Sequence, residues 1–199
     1  MPLLKPLTII LLCVIGSLAQ AASFRTVVID PGHGGQDKGG NWGKVYEKHL
    51  ALDTAIRLEN RLKRMGYNTV MTRRSDTFVS LHQRTAIANR QKDAIFVSVH
   101  YNYTWKRDVS GLETFYFNSE GAKLARHVQS QMVRKTGGNN RNAKYARYYV
   151  IRNCRLPGIL VECGFVSNSS ERDRMKSGDF RESIADSIAE GIQSYRRSR

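Results

Sequence analysis

The chain reads as an α/β protein: a single domain with about six strands in a mainly parallel, twisted sheet and helices on both faces. Three observations point there. Short β-branched runs alternate with stretches whose apolar residues recur at helical spacing, the order of parallel strands joined by crossover helices. Fragments bearing a histidine or a glutamate follow three of the apolar runs directly, where α/β sheets collect their sites. The 199 residues contain no internal repeat, low-complexity tract or Pro/Gly linker, and they suffice for one domain with a sizeable core.

The first residues stand apart. Residues 1–22 are expected to be a signal peptide: Met1 to Pro6 carry one Lys, Leu7 to Gly16 are uncharged and mostly apolar, and Ala19-Gln20-Ala21 fits a small-residue cleavage site. The apolar stretch falls short of the roughly 20 residues a membrane-spanning helix needs. Residues 23–199 would then be the mature domain, periplasmic or secreted. Phe24 to Ile29 is predicted as the first strand, ending in Asp30-Pro31-Gly32-His33-Gly34-Gly35. Leu50, Leu52, Ala55, Ile56, Leu58, Leu62 and Met65 recur at helical spacing until Gly66. Asn68 to Met71 reads as a strand, Leu81 to Asn89 as a short helix, and Ala94 to Val99 as a buried strand. Gly111 to Phe117 alternates like a half-exposed or edge strand. Gly121 to Thr136 is a helix broken by Gly137-Gly138-Asn139-Asn140. Tyr148 to Ile151 and Ile159 to Glu162 are read as the last strands, turning around Leu156-Pro157-Gly158, and Phe180 to Tyr195 as an amphipathic closing helix.

Charge and cysteines narrow the function classes. The formal net charge is +15. In an exported protein such a charge points to anionic envelope polymers rather than nucleic acid, or simply to a solvated basic surface, because Lys and Arg are spread over the helices with one cluster at Arg196, Arg197 and Arg199. Cys13 falls in the leader. Cys154 and Cys163 remain, too few for a disulfide framework and too irregular for a metal knuckle, and they are expected to stay unbridged.

His33, Glu47, His100 and Glu162 are the candidate site residues. Together they offer three zinc ligands and a spare carboxylate for acid/base work. Three of them also have a plainer reading. His33 could be a hydrogen-bonding loop residue, Glu47 could stabilise a helix dipole, and Glu162, costly to bury alone, could pair with an Arg. His49, His82 and His127 read as helix-surface residues.

The fragments in combination resemble the zinc-dependent N-acetylmuramoyl-L-alanine amidases, bacterial cell-wall hydrolases with a DPGHGG signature. The resemblance runs through Asp30 to Gly35, Glu47, Thr72-Arg73 with Asp76, Leu81 with Arg84 and Ala88-Asn89, Ser98-x-His100-x-Asn102, Gly111-x-Glu113, and Leu160-Val161-Glu162-x-Gly164-Phe165 with Ser167-Asn168. It implies that His33, Glu47 and His100 bind one zinc ion, that Glu162 is the catalytic carboxylate, and that the substrate is peptidoglycan, cut between N-acetylmuramic acid and L-alanine. Asn102 and Arg84 are expected to bind substrate or support the ligands. Val99 and Tyr101 depart from the family wording beside His100 without touching a ligand, which leaves substrate preference open. A zinc peptidase acting on stem peptides, or a wall-binding protein that has lost catalysis, are the alternatives. Some relatives cover the site with a helix inserted after the second zinc-binding His. Tyr101 to Ser110 is too short for that, so the site is expected to be open and to need no activator; the protein is expected to be a monomer.

Overall fold

Strand β1 (Thr26–Pro31) is buried along nearly its whole length, as a central strand of a parallel sheet must be. The computed structural model describes residues 24–199, so the expected signal peptide lies outside the described residues. After β1 come a two-residue hairpin, β2 (Asn41–Trp42) and β3 (Val45–Tyr46), then α1 (Glu47–Arg64), β4 (Asn68–Met71), α2 (Leu81–Asn89), β5 (Ala94–Asn102) and β6 (Leu112–Tyr116). They are followed by α3 (Ser119–Thr136), β7 (Asn140–Tyr145), α4 (Tyr149–Arg152), β8 (Gly158–Phe165), α5 (Ser169–Lys176) and α6 (Gly178–Arg197). The six-stranded sheet has the order β4-β1-β5-β8-β6-β7. Every pairing in it is parallel except β8 with β6.

Period-two alternation sorts the strands' side chains into two cores. Val27, Ile29, Ile95, Val97, Val99, Ile159 and Val161 pack with α1, α3 and α6 on one face. Val28, Phe96 and Leu160, one residue out of phase, pack with α2 and α4 on the other. Local signals set the ends of the helices. Ser80 and Gln83 form a capping box at the start of α2, and Gly137, at φ 65°, closes α3 in the left-handed conformation.

The structure corrects part of the sequence reading. Tyr148 to Ile151 is not a strand: α4 occupies Tyr149–Arg152. The sheet instead ends in β7, whose polar sequence NRNAKY carries no apolar run because an edge strand needs little burial to hold its place. Strand β6 is therefore internal. The expected hairpin around Leu156-Pro157-Gly158 does not form. Cys154 and Cys163 are nevertheless both free, because they belong to opposite cores. Strands β5 and β8 each run three residues past the predicted ends, so His100 and Glu162 lie inside strands.

Two features of the packing carry tests. Helices α3 and α6 cross so closely that a Cβ at Gly191 would sit 2.5 Å from the Cα of Val128. Alanine gains about 1 kcal/mol over glycine in a helix interior, but backbone cannot step aside, so Gly191→Ala should cost ~1–3 kcal/mol net. A denaturation midpoint equal to or above the parent's would disprove the close crossing.

Glu59 of α1 accepts both terminal nitrogens of Arg74 at 2.6 Å and the Thr69 hydroxyl at 2.9 Å, pinning the segment after β4. Hydrogen bonding from Arg74 is the main reason its pKa falls from 4.5 to about 2. A depressed carboxylate stabilises the fold fully above its unfolded pKa and loses that contribution as pH drops through the folded value. Glu59→Gln should therefore lower stability at neutral pH by about 1–2 kcal/mol, a figure reduced by Arg74's exposure. The gap between parent and variant should narrow below pH 4.5 and close near pH 2. A gap that does not change across this range would show that the ion pair contributes nothing.

Candidate active site

Strands β1, β5 and β8 lie side by side and parallel, so their C-terminal ends open on one edge of the sheet. The loop after β1 delivers His33, β5 delivers His100, and β8 delivers Glu162 directly opposite His100 in the register. The β2–β3 hairpin turns the chain so that α1 begins at Glu47, between the two histidines. Glu47 Oε1 lies 3.1 Å from His33 Nε2 and 2.8 Å from His100 Nδ1. The rings stand 4.9 Å apart at 80°, and one donor atom from each residue falls within 4.8 Å of the others.

Backbone amides fix the carboxylate. Strand β1 stops at Pro31 opposite Val99, so the Tyr101 amide, two residues further along β5, has no ladder partner on that side and donates to Glu47 Oε1 at 3.0 Å. The Gly40 amide donates to Oε2 at 2.7 Å. Burial alone would raise the Glu47 pKa, but hydrogen bonds from His100 and His33 outweigh it and hold the group at about 2. His33 Nδ1 meets the Asp37 carboxylate at 2.8 Å, which orients the ring and leaves Nε2 facing Glu47. Burial pulls the His33 pKa down, and the Glu47 and Asp37 carboxylates more than reverse this. Gly32 is required by the same geometry, since a Cβ there would fall 2.3 Å from His100 Cε1. His49 lies near Asp76 and His127 bonds Ser194, both away from the cluster.

Beneath the loop lies a buried ion pair. Asp30 Oδ1 meets Arg84 at 2.7 Å and the Thr72 hydroxyl at 2.6 Å, while Oδ2 accepts from Ser98 at 2.7 Å. Arg84 also donates to the carbonyls of Pro31 and His33, and Arg73 to those of Pro31, Gly32 and Lys48. Burial, with the charge of Arg84 beside it, lowers the Arg73 pKa to about 10. Two guanidinium groups thus stitch the loop by its main chain and hold His33 at φ 58°. Arg84, expected to bind substrate or support the ligands, is buried and takes the supporting place.

Glu162 has no such partner. The expected alternative, a salt bridge to Arg, is not formed: Oε2 is buried without a hydrogen bond, and Arg141 and Lys144 pair with Glu113 instead. Glu113 is the residue the sequence reading left without a role. It sits directly opposite Glu162 in the antiparallel β6–β8 pairing. Asn102 donates to its Oε1 at 2.7 Å and accepts from the Tyr103 amide at 2.7 Å. Burial, then the charges of Glu47 and Glu113, push the Glu162 pKa well above the carboxylate range. His33, Glu47, His100, Asn102 and Glu162 all line one cleft of about 400 Å³, and the segment between β5 and β6 contains no helix to cover it.

Comparisons with known proteins agree with this geometry. Residues 27–194 match the family described as N-acetylmuramoyl-L-alanine amidase. The uncharacterized protein YqiI of Bacillus subtilis strain 168 is 35% identical over 181 residues, covering 89% of this chain and 87% of YqiI. The N-acetylmuramoyl-L-alanine amidase LytC of the same strain is 34% identical over 176 residues, 86% of this chain but 36% of LytC. The crystal structure of N-acetylmuramoyl-L-alanine amidase from Clostridium difficile 630 superposes with a TM-score of 0.85 at 35% identity, covering 90% of this chain and 100% of that one.

The Asp30–Arg84 pair makes a prediction of its own. Removing one partner strands a buried charge, so Arg84→Met should cost ~3–5 kcal/mol. Adding Asp30→Asn to Arg84→Met should recover part of that loss. A double-mutant cycle by chemical denaturation measures the coupling, and strictly additive losses would refute it.

Proposed function

The chain belongs to the N-acetylmuramoyl-L-alanine amidase family of cell-wall hydrolases, and on that premise we propose that it is an exported, zinc-dependent enzyme. Its substrate is the amide between the lactyl group of N-acetylmuramic acid and the L-alanine of the stem peptide in peptidoglycan. One observation carries this reading: two imidazole nitrogens and a carboxylate converge within 4.8 Å of one another beside a buried carboxyl group without a partner.

The donor set suits one zinc ion. His33 Nε2, His100 Nδ1 and the Glu47 carboxylate are nitrogen and oxygen donors on three sides of a small space, and three protein ligands leave a coordination position open. Bound there, zinc would supply the Lewis acidity that makes water a competent nucleophile near neutral pH and polarises the amide carbonyl. Glu162 handles the protons. Burial, with the charges of Glu47 and Glu113, raises its proton affinity above that of an ordinary carboxylate, which favours its taking a proton from the attacking water and passing it to the departing L-alanine nitrogen. A C–O bond forms, the C–N bond breaks, and the products are a lactyl carboxylate and a free amine. Asn102, held by Glu113 and the Tyr103 amide, presents its side chain to the substrate from the cleft wall, and Arg84 acts from beneath by holding the His33 loop.

Export through the signal peptide would place the protein in the periplasm or outside the cell, where its positive charge favours contact with anionic wall polymers. The uncovered cleft supports action without an activator, and the protein is read as a monomer.

Glu162→Gln should lower hydrolysis of purified peptidoglycan by about 100- to 10,000-fold while zinc stays bound, whereas His33→Ala or His100→Ala should lose metal and activity together. Metal analysis and release of free stem peptide measure both. Near-parental turnover by Glu162→Gln, cleavage within the peptide, or release of nothing by a zinc-loaded parent would each overturn the assignment. The last result, if reversed by an added protein, would overturn only the absence of an activator.

A further inference from the structure

On the buried stripe of α1, Leu50, Ala51, Ala55 and Leu58 are apolar, and Thr54 in their midst is fully buried. A hydroxyl in such a place needs a partner. It has one in Tyr101, whose phenol oxygen lies 2.7 Å from Thr54 Oγ1. Tyr101 is itself fully buried: strand alternation sends the neighbouring His100 to the cleft and the Tyr101 ring into the core packed under α1. Tyr101 is also one of the two residues beside His100 that depart from the family wording, and its hydroxyl sits in the core, out of a substrate's reach.

Tyr101 therefore grips α1 twice. Its amide donates to Glu47 Oε1 at 3.0 Å. Its hydroxyl pairs with a residue seven positions further on, two turns along the same face of the helix and about 10 Å away. Two contacts that far apart fix both the distance of α1 from β5 and the rotation of the helix about its own axis. A pair of buried hydroxyls that satisfy each other adds little stability over an apolar pair of the same shape, so what the pair supplies is register. Glu47 is where register matters, because its Oε1 lies between His33 Nε2 at 3.1 Å and His100 Nδ1 at 2.8 Å.

We propose that the Tyr101 side chain is a positioning residue for the metal site: bonded to Thr54, it seats α1 on β5 and so holds the Glu47 carboxylate against the two imidazoles. The assignment rests on the zinc reading, because it is that reading which makes the placing of Glu47 between His33 and His100 a matter of metal affinity.

Zinc affinity of the purified, metal-stripped protein, measured by competition with a chromophoric chelator, tests the role. Tyr101→Phe removes one oxygen and keeps the ring, and Thr54→Val keeps the shape of the side chain. Each should weaken zinc binding about tenfold, and the double variant should be no weaker than the weaker single variant. Thr54→Ser keeps a hydroxyl and should stay near the parental affinity. Tyr195→Phe is the control. Its ring is also fully buried and its hydroxyl bonds Glu120 of α3 at 3.0 Å, so it loses a comparable bond far from the ligands and should leave zinc affinity unchanged. Parental affinity in both Tyr101→Phe and Thr54→Val would overturn the positioning role and, with zinc bound by the parent, leave the zinc reading standing. An equal loss in Tyr195→Phe, or losses that multiply in the double variant, would do the same. A parent that binds no zinc would overturn both.

Discussion

The buried Asp30 carboxylate is the constraint on which the site depends. It ends the central strand, accepts from Thr72 after β4 and from Ser98 on β5, and pairs with Arg84 of α2. A buried ion pair is seldom a net source of stability, because removing both charges from water costs several kcal/mol each. What this pair supplies is position. Through Arg84 it reaches the carbonyl oxygens of Pro31 and His33, and with Arg73 it leaves the loop no other path. His33 keeps a left-handed backbone that a non-glycine residue adopts only when its surroundings enforce it.

The sheet order does the rest of the assembly. Because β1, β5 and β8 are consecutive in space, three strand ends present His33, His100 and Glu162 side by side, although the residues are far apart in the chain. The single antiparallel pairing, β6 against β8, puts Glu113 directly opposite Glu162. Like charges placed so are unfavourable, and the two carboxyls are treated differently. Glu113 receives Arg141, Lys144 and Asn102. Glu162 Oε2 receives nothing and is buried. Environment thus treats two chemically identical groups differently: one is tied into ion pairs, and the other is left buried with its pKa raised, as the proposed proton-carrying role requires.

Legibility in the sequence followed the strength of the local signal. Helix α1 was readable because apolar spacing and a terminating glycine agreed, and α2 and strand β4 fall where they were read. Helix α4 was not. Tyr148-Tyr149-Val150-Ile151 has high β propensity, and only packing against α2 and β8 makes it a single helical turn. Strand β7 was missed for the opposite reason, since its polar residues carry no period and it exists through pairing with β6. The zinc-ligand candidates stood out because metal chemistry restricts residue type. Glu113 and the aromatic side chains along the cleft did not, since their place comes from register and from which loops meet there.

Residues of both kinds line the cleft. The His–Glu–His cluster and Glu162 are held by strands and by buried hydrogen bonds, so their geometry is set before substrate arrives. Phe78, Tyr148 and Tyr149 stand on the segments that lead into α2 and α4, outside the sheet, with Phe78 packed against Gly35 of the loop that Asp30 anchors. Arg84, read from the sequence as a substrate or supporting group, has its guanidinium on three carbonyls and a carboxylate, which sets it among the groups that hold the loop.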